Sequence, residues 1–247
     1  MNNYPPVSGE PQPAPPPQQA RVAMPRSAPY VTYTIIAITV GIYLLQQVSD
    51  LPVILFIKSN PLIRAGQVWR LLTPMLLHGS LPHIAFNMYA LLSFGTGLER
   101  HFGHGRFLLL YLLGAFAGNV ASFLQTDANS LGASTAIFGL LGAEAIFLIQ
   151  NRKVFPGQFR SAIGNIIFIA AINLFIIGSL PGIDNWGHIG GLIGGVMFTL
   201  FAGPKWEVEG IYPSYYLTDK RPFNAVIVGA ATVVLIFGGL AMWGMVR

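Results

Sequence analysis

From residue 31 onward the chain alternates apolar runs with short polar breaks, and seven of those runs come near the ~20 residues a helix needs to cross a bilayer core. They fall at roughly 31–48, 82–98, 106–125, 134–150, 161–179, 187–203 and 223–246. Each predicts a membrane helix. The longest connection, 49–81, contains the apolar piece LPVILFI, which is too short to span and reads as an interfacial segment. No internal repeat of the kind found in many transporters is visible.

The first 29 residues break this pattern. They hold nine of the 18 prolines, several glutamines and no apolar run of signal-peptide length, so they read as a disordered tail. Within it, PQPAPPP could dock an SH3-like partner as a polyproline helix, but composition favours a simply solvated tail.

Composition strengthens the membrane reading. Hydrophobic residues make up 53% of the 247 and charged residues 9%, against roughly 25% charged in ordinary soluble domains. The expected fold class is therefore an all-α membrane protein, a polytopic helical bundle. The excess of 14 Lys plus Arg over 9 Asp plus Glu forms no patch, which argues against nucleic acid. It orients the bundle instead. With seven spans, ten basic residues lie on the side of the N-terminal tail, and four, Lys58, Arg64, Arg70 and Arg247, lie on the other. By the positive-inside rule the N-terminus is cytoplasmic and the C-terminus outside, as in a multi-pass protein of the cell membrane. With no cysteine there is neither a disulfide framework nor a thiolate metal site.

In this orientation spans two, four and six begin near the outer face, and each begins with capable polar residues: His83 and Asn87, then Ser134, then His188. A serine hydroxyl needs a neighbouring base to become a nucleophile, and His188 is the natural one. Asp184 precedes His188 by four residues in a Gly/Pro-containing loop, and Asp127 lies in another loop, so a Ser-His dyad is favoured over a triad. Acyl transfer also needs donors for an oxyanion. A helix start supplies backbone N–H groups and a favourable dipole, with Gly132 just before Ser134. His83 and Asn87, four apart, share one helix face and add side-chain donors. Small residues such as Ser134, Gly139 and Gly142 equally suit close helix packing, whereas a histidine inside a span points to function. The two readings cooperate, because Gly187, Gly191 and Gly195 would let span six lie on span four and bring His188 to Ser134.

Several motifs together resemble the rhomboid intramembrane serine proteases over roughly residues 30–203. They are Trp69-Arg70, HGSLPHIAFN from His78 to Asn87, GTGLERHFG containing Glu99 and Arg100, GASTAIFG around Ser134, and GHIGG around His188. The resemblance implies a Ser134–His188 dyad in an outward-open, water-filled cavity, with His83 and Asn87 helping to bind the oxyanion and the Phe138 ring against the catalytic histidine. It also implies a six-plus-one arrangement: a cytoplasmic tail over 1–29, a six-helix catalytic core over 30–203, a cytoplasmic connection over 204–222 and an added helix over 223–247. No cofactor or metal is expected. The implied reaction is hydrolysis of a peptide bond in or beside another protein's transmembrane segment near the outer face. The alternative is an inactive rhomboid-like protein that binds transmembrane helices.

One departure bears on that choice. The family usually has glycine after the serine, and this chain has Thr135, whose β-branched side chain could narrow the cavity or alter the oxyanion geometry. A transporter using His188 and Glu144 as a proton relay is a further rival. Glu144, ten residues into span four, lies about 15 Å along the helix from Ser134 and reads as a structural group. His101 and His104 read as loop histidines rather than ligands, His78 as a support of the first loop, and Trp69, Arg70 and Trp186 as interfacial anchors or partners of loop carbonyls.

Overall fold

The computed structural model describes residues 21–23 and 27–247. Helix α1 (Tyr30–Gln46) leads into a long first loop with two short helices, α2 (Leu51–Phe56) and α3 (Asn60–Arg64), and two 3-10 turns. Helix α4 (Leu81–Ala90) runs through one π turn into α5 (Thr96–Phe102). Gly103, with φ of 75°, ends that rod before α6 (His104–Gln125); a left-handed residue at a helix end favours glycine. Then come α7 (Ser134–Gln150), α8 (Pro156–Ala171) with its irregular continuation to Ser179, α9 (Asn185–Ala202) and α10 (Phe223–Val246). The helices coincide with the seven apolar runs. By length and composition, α6, the extended α8 and α10 are each sufficient to cross a membrane.

Helices α6, α7 and α9 form the centre of the bundle. The most apolar stretch of α6 is 67% buried, whereas that of α8 is 6% buried, so α8 stands at the edge. The glycines of α9 set the central contact. A methyl on Gly191 would run into the Thr135 carbonyl, and one on Gly195 into that of Gly139. Only hydrogen at those positions lets the α7 and α9 backbones approach this closely, as small-residue motifs do in membranes.

The first loop is held by polar side chains that satisfy backbone carbonyls. Arg70 donates from Nη1 to Ile57 O (2.7 Å) and from Nη2 to Ile54 O (2.6 Å), and Trp69 Nε1 donates to Leu55 O (3.1 Å). Lys58, fully buried, donates from Nζ to the carbonyls of Thr126 (2.9 Å), Ala128 (2.8 Å) and, more distantly, Ser122 (3.4 Å). It thereby caps the C-terminal end of α6, where carbonyls lack helical partners. Asn60 Nδ2 joins it on Phe123 O and Thr126 O. Burial lowers the Lys58 pKa to about 8, against the opposing pull of Asp184 and Asp127.

The connection after α9 is more ordered than the sequence reading expected. Strand β2 (Trp206–Ile211) pairs antiparallel with β3 (Ser214–Asp219), and β1 (Arg21–Ala23) pairs parallel with β3. The bundle thus carries a small sheet that an all-α reading omits, and three residues of the segment read as a disordered tail form one of its strands. The proline-rich PQPAPPP lies outside the described residues. The hairpin docks through Asp219, which accepts from Arg106 Nη1 (2.5 Å), Lys205 N and Arg221 N (both 2.9 Å). Asn151 adds a bond from Trp206 N (2.7 Å) and one to Pro204 O (2.9 Å). The period-two alternation in WEVEGI was the available sequence signal for β2.

Candidate active site

Ser134 opens α7 and His188 lies in the first turn of α9. The packing of α9 on α7 brings Ser134 Oγ and His188 Nε2 to 3.0 Å, a hydrogen bond. His188 is 6% exposed, and Phe138 stacks on its ring with centroids 4.3 Å apart and planes 6° from parallel. These three residues come together from positions up to 54 apart in the chain.

Beside Ser134 lies Gly132, whose N–H donates to Pro74 O (2.9 Å). Its φ of 130° is one that side-chain-bearing residues rarely adopt. A Cβ there would also sit 2.8 Å from His83 Nε2, so glycine is required twice over. His83 therefore faces the backbone just ahead of the serine. Its Nδ1 accepts a long bond from Gly79 N (3.5 Å), which in the neutral ring leaves the proton on Nε2, the nitrogen next to Gly132. Asn87, by contrast, donates from Nδ2 to the His83 carbonyl (2.9 Å), so one of its two N–H bonds is spent within α4.

His78 supports the same loop from beneath. Its backbone is bonded in both directions by Gln46 (3.2 Å each), and its Nε2 accepts from Ala133 N (3.4 Å). Burial, followed by the neighbouring His83, lowers its pKa to about 3, so the ring stays neutral and able to accept.

Thr135 does not point into the Ser134–His188 contact. A Cβ on Gly118 of α6 would fall 2.7 Å from Thr135 Cβ, and one on Gly187 would fall 3.0 Å from Thr135 Cγ2. The threonine side chain thus fills space left by glycines on two neighbouring helices. The sequence reading missed this compensation, because Gly118 is 17 residues away and carries no signal of its own.

The remaining polar residues divide clearly. Glu144 has a buried oxygen with no protein partner. His104 contacts the Glu99 carboxylate (2.5 Å), and His101 packs among Phe147, Phe155 and Trp206. Asp184 sits near the serine-histidine pair but does not bond the His188 ring: it accepts from Gly187 N (2.9 Å) and from the Ser122 hydroxyl.

A helical membrane bundle with a buried serine-histidine contact at the starts of two central helices defines the class of protein. Residues 65–205 match the model of the Rhomboid domain, and the chain belongs to the rhomboid family. It is similar to the rhomboid protease GluP of Bacillus subtilis (strain 168), 41% identical over 219 residues, covering 86% of this chain and 41% of the relative. RHOMBOID-like protein 1 of Arabidopsis thaliana is 41% identical over 186 residues, covering 71% of this chain and 47% of the relative. RHOMBOID-like protein 6, mitochondrial, of the same plant is 36% identical over 192 residues, covering 73% and 62%. The chain spans less than two thirds of the length of these relatives.

Proposed function

We propose that this chain is a serine endopeptidase that cleaves transmembrane segments of other membrane proteins by a Ser134–His188 dyad. The observation that carries the reading is the 3.0 Å contact between Ser134 Oγ and His188 Nε2 at the starts of two packed helices. His188 takes the Ser134 proton as Oγ attacks the substrate carbonyl carbon. The resulting oxyanion is met by backbone N–H groups of the first turn of α7, which lack helical partners, and by the Nε2–H of His83. The remaining N–H of Asn87 is the further donor in this scheme. Collapse of the intermediate breaks the C–N bond, and the amine leaves with the proton that His188 returns. Water then attacks the acyl-enzyme by the same proton path.

A substrate helix in lipid has its backbone groups bonded internally, so it must unwind before its carbonyl reaches Ser134. Preferred substrates therefore carry small or helix-breaking residues near the cut. In this reading residues 30–203 are the catalytic core and α10 is an added helix. The protein sits in the cell membrane with its N-terminus cytoplasmic, its C-terminus outside and the dyad near the outer face. The name of the Bacillus subtilis relative, a protease, supports the activity. The packing of Thr135 against Gly118 and Gly187 favours the active reading over that of an inactive helix-binding protein.

The test is fluorophosphonate labelling of purified protein in detergent. Wild type is expected to label at Ser134, and Ser134→Ala and His188→Ala to lose at least about 100-fold of the rate, the scale of general-base assistance. A folded wild type left unlabelled under conditions that label an active rhomboid would overturn the reading.

A further inference from the structure

Asp184 is a carboxylate four residues before His188, and its bonding is unlike that of a triad acid. As the N-cap of α9 it accepts from Gly187 N through Oδ1 (2.9 Å) and from the Ser122 hydroxyl of α6 through Oδ2. The backbone N–H of His188 donates to its carbonyl (3.2 Å). The buried ammonium of Lys58 closes the end of α6 on the same side, bonded to the carbonyls of Thr126 and Ala128. A carboxylate thus stands one helical turn before the histidine, tied to two helices.

We propose that Asp184 is a positioning residue for His188: it fixes the start of α9 against α6 and places a negative charge where it supports the imidazolium formed when Ser134 gives up its proton. The proposal rests on the dyad reading above. Two of its parts are separable. The hydrogen bond to Gly187 N and the bond from Ser122 locate the helix start, which any good N-cap can do in part. The charge acts at a distance on the ring, and only an ionised side chain provides it. Among the described residues the other titratable groups facing this site are His83 of α4, which lies beside Gly132 just ahead of Ser134, and Lys58 of the first loop, whose ammonium binds carbonyls at the end of α6 near Asp127.

The experiment separates cap from charge. Asp184→Asn and Asp184→Ser each keep a capping oxygen and lose the charge, and Asp184→Glu keeps the charge. Ring titration of His188 is followed by NMR in the full-length protein carrying Ser134→Ala, alongside the pH profile of fluorophosphonate labelling in the Ser134 background. In both Asn and Ser variants the His188 midpoint and the acid limb are expected to move down by about one pH unit, the scale of one nearby charge. Asp184→Glu is expected to restore them toward wild type. Should one neutral variant fail to fold, the other makes the same comparison. Unmoved midpoints in a folded neutral variant overturn the charge role, whether or not the enzyme is active. Loss of labelling in wild type would instead strike the dyad reading, because the NMR titration does not depend on turnover.

Discussion

At the scale of single residues, the pair Gly118 and Thr135 matters most. A threonine beside Ser134 fits because the facing position on α6 has no side chain. Thr135→Gly should therefore cost stability, about 1–2 kcal/mol for the emptied space, while fluorophosphonate labelling persists within a few-fold. Loss of labelling would mean that the threonine acts on the dyad after all. Gly118→Val should disrupt the α6–α7–α9 contact and lower both stability and labelling. Gly132→Ala tests the other constrained position. Its φ and the nearness of His83 make about 1–3 kcal/mol of strain unavoidable, so labelling should fall at least tenfold with the helix content unchanged by circular dichroism. The serine and the histidine were legible in the sequence because each begins an apolar helix. The direction of the threonine side chain was not, since it depends on a glycine from another helix.

Among the elements, the first loop is held by buried polar side chains as well as by apolar packing. Lys58 and Asn60 close the end of α6, and Arg70 closes carbonyls in and just after α2. Replacing Lys58 by methionine removes the donor to the Ala128 carbonyl and one of the donors to those of Thr126 and Ser122, and the expected loss is about 1–3 kcal/mol, read as a lower melting temperature in detergent. The pH dependence has a definite sign. Burial lowers the Lys58 pKa to about 8 from 10.5, so the folded state holds this proton less tightly than the unfolded chain. The cost of burying the ammonium is present in full below about pH 8 and is relieved as pH rises toward 10.5. The melting temperature of wild type should accordingly gain on that of Lys58→Met between pH 8 and 10, and a constant gap would contradict the burial. The seven helices were legible from their apolar runs, but these caps were not. A lysine in an apolar loop reads as a topology signal, and nothing local shows that it will be taken up by carbonyls 64–70 residues away.

For the whole molecule, the contrast between a tightly packed centre and a loosely held edge has a dynamic consequence. The apolar stretch of α8 is 6% buried against 67% for α6. Regions with few buried contacts open most readily, so amide exchange in detergent should be fastest along α8 among the long helices and slowest in α6 and α9. Equal protection throughout would show that lipid-facing exposure does not translate into mobility here. The sequence by itself determined the solvent, since so few charges over so many apolar residues leave no alternative to a bilayer. It also determined the helical runs and the chemical candidates, because a histidine at the start of an apolar helix is costly to bury without purpose and singles out the serine that begins a neighbouring one. Tertiary structure alone decided which residues meet. Glycines on α9 remove the side chains that would hold it off α7, and that close approach brings His188 to Ser134. The same approach turns Thr135 toward Gly118, and the cap at Asp184 fixes the helix start from which the histidine projects. Each depends on backbones from distant parts of the chain coming within van der Waals contact, a condition that no local pattern of residues can express.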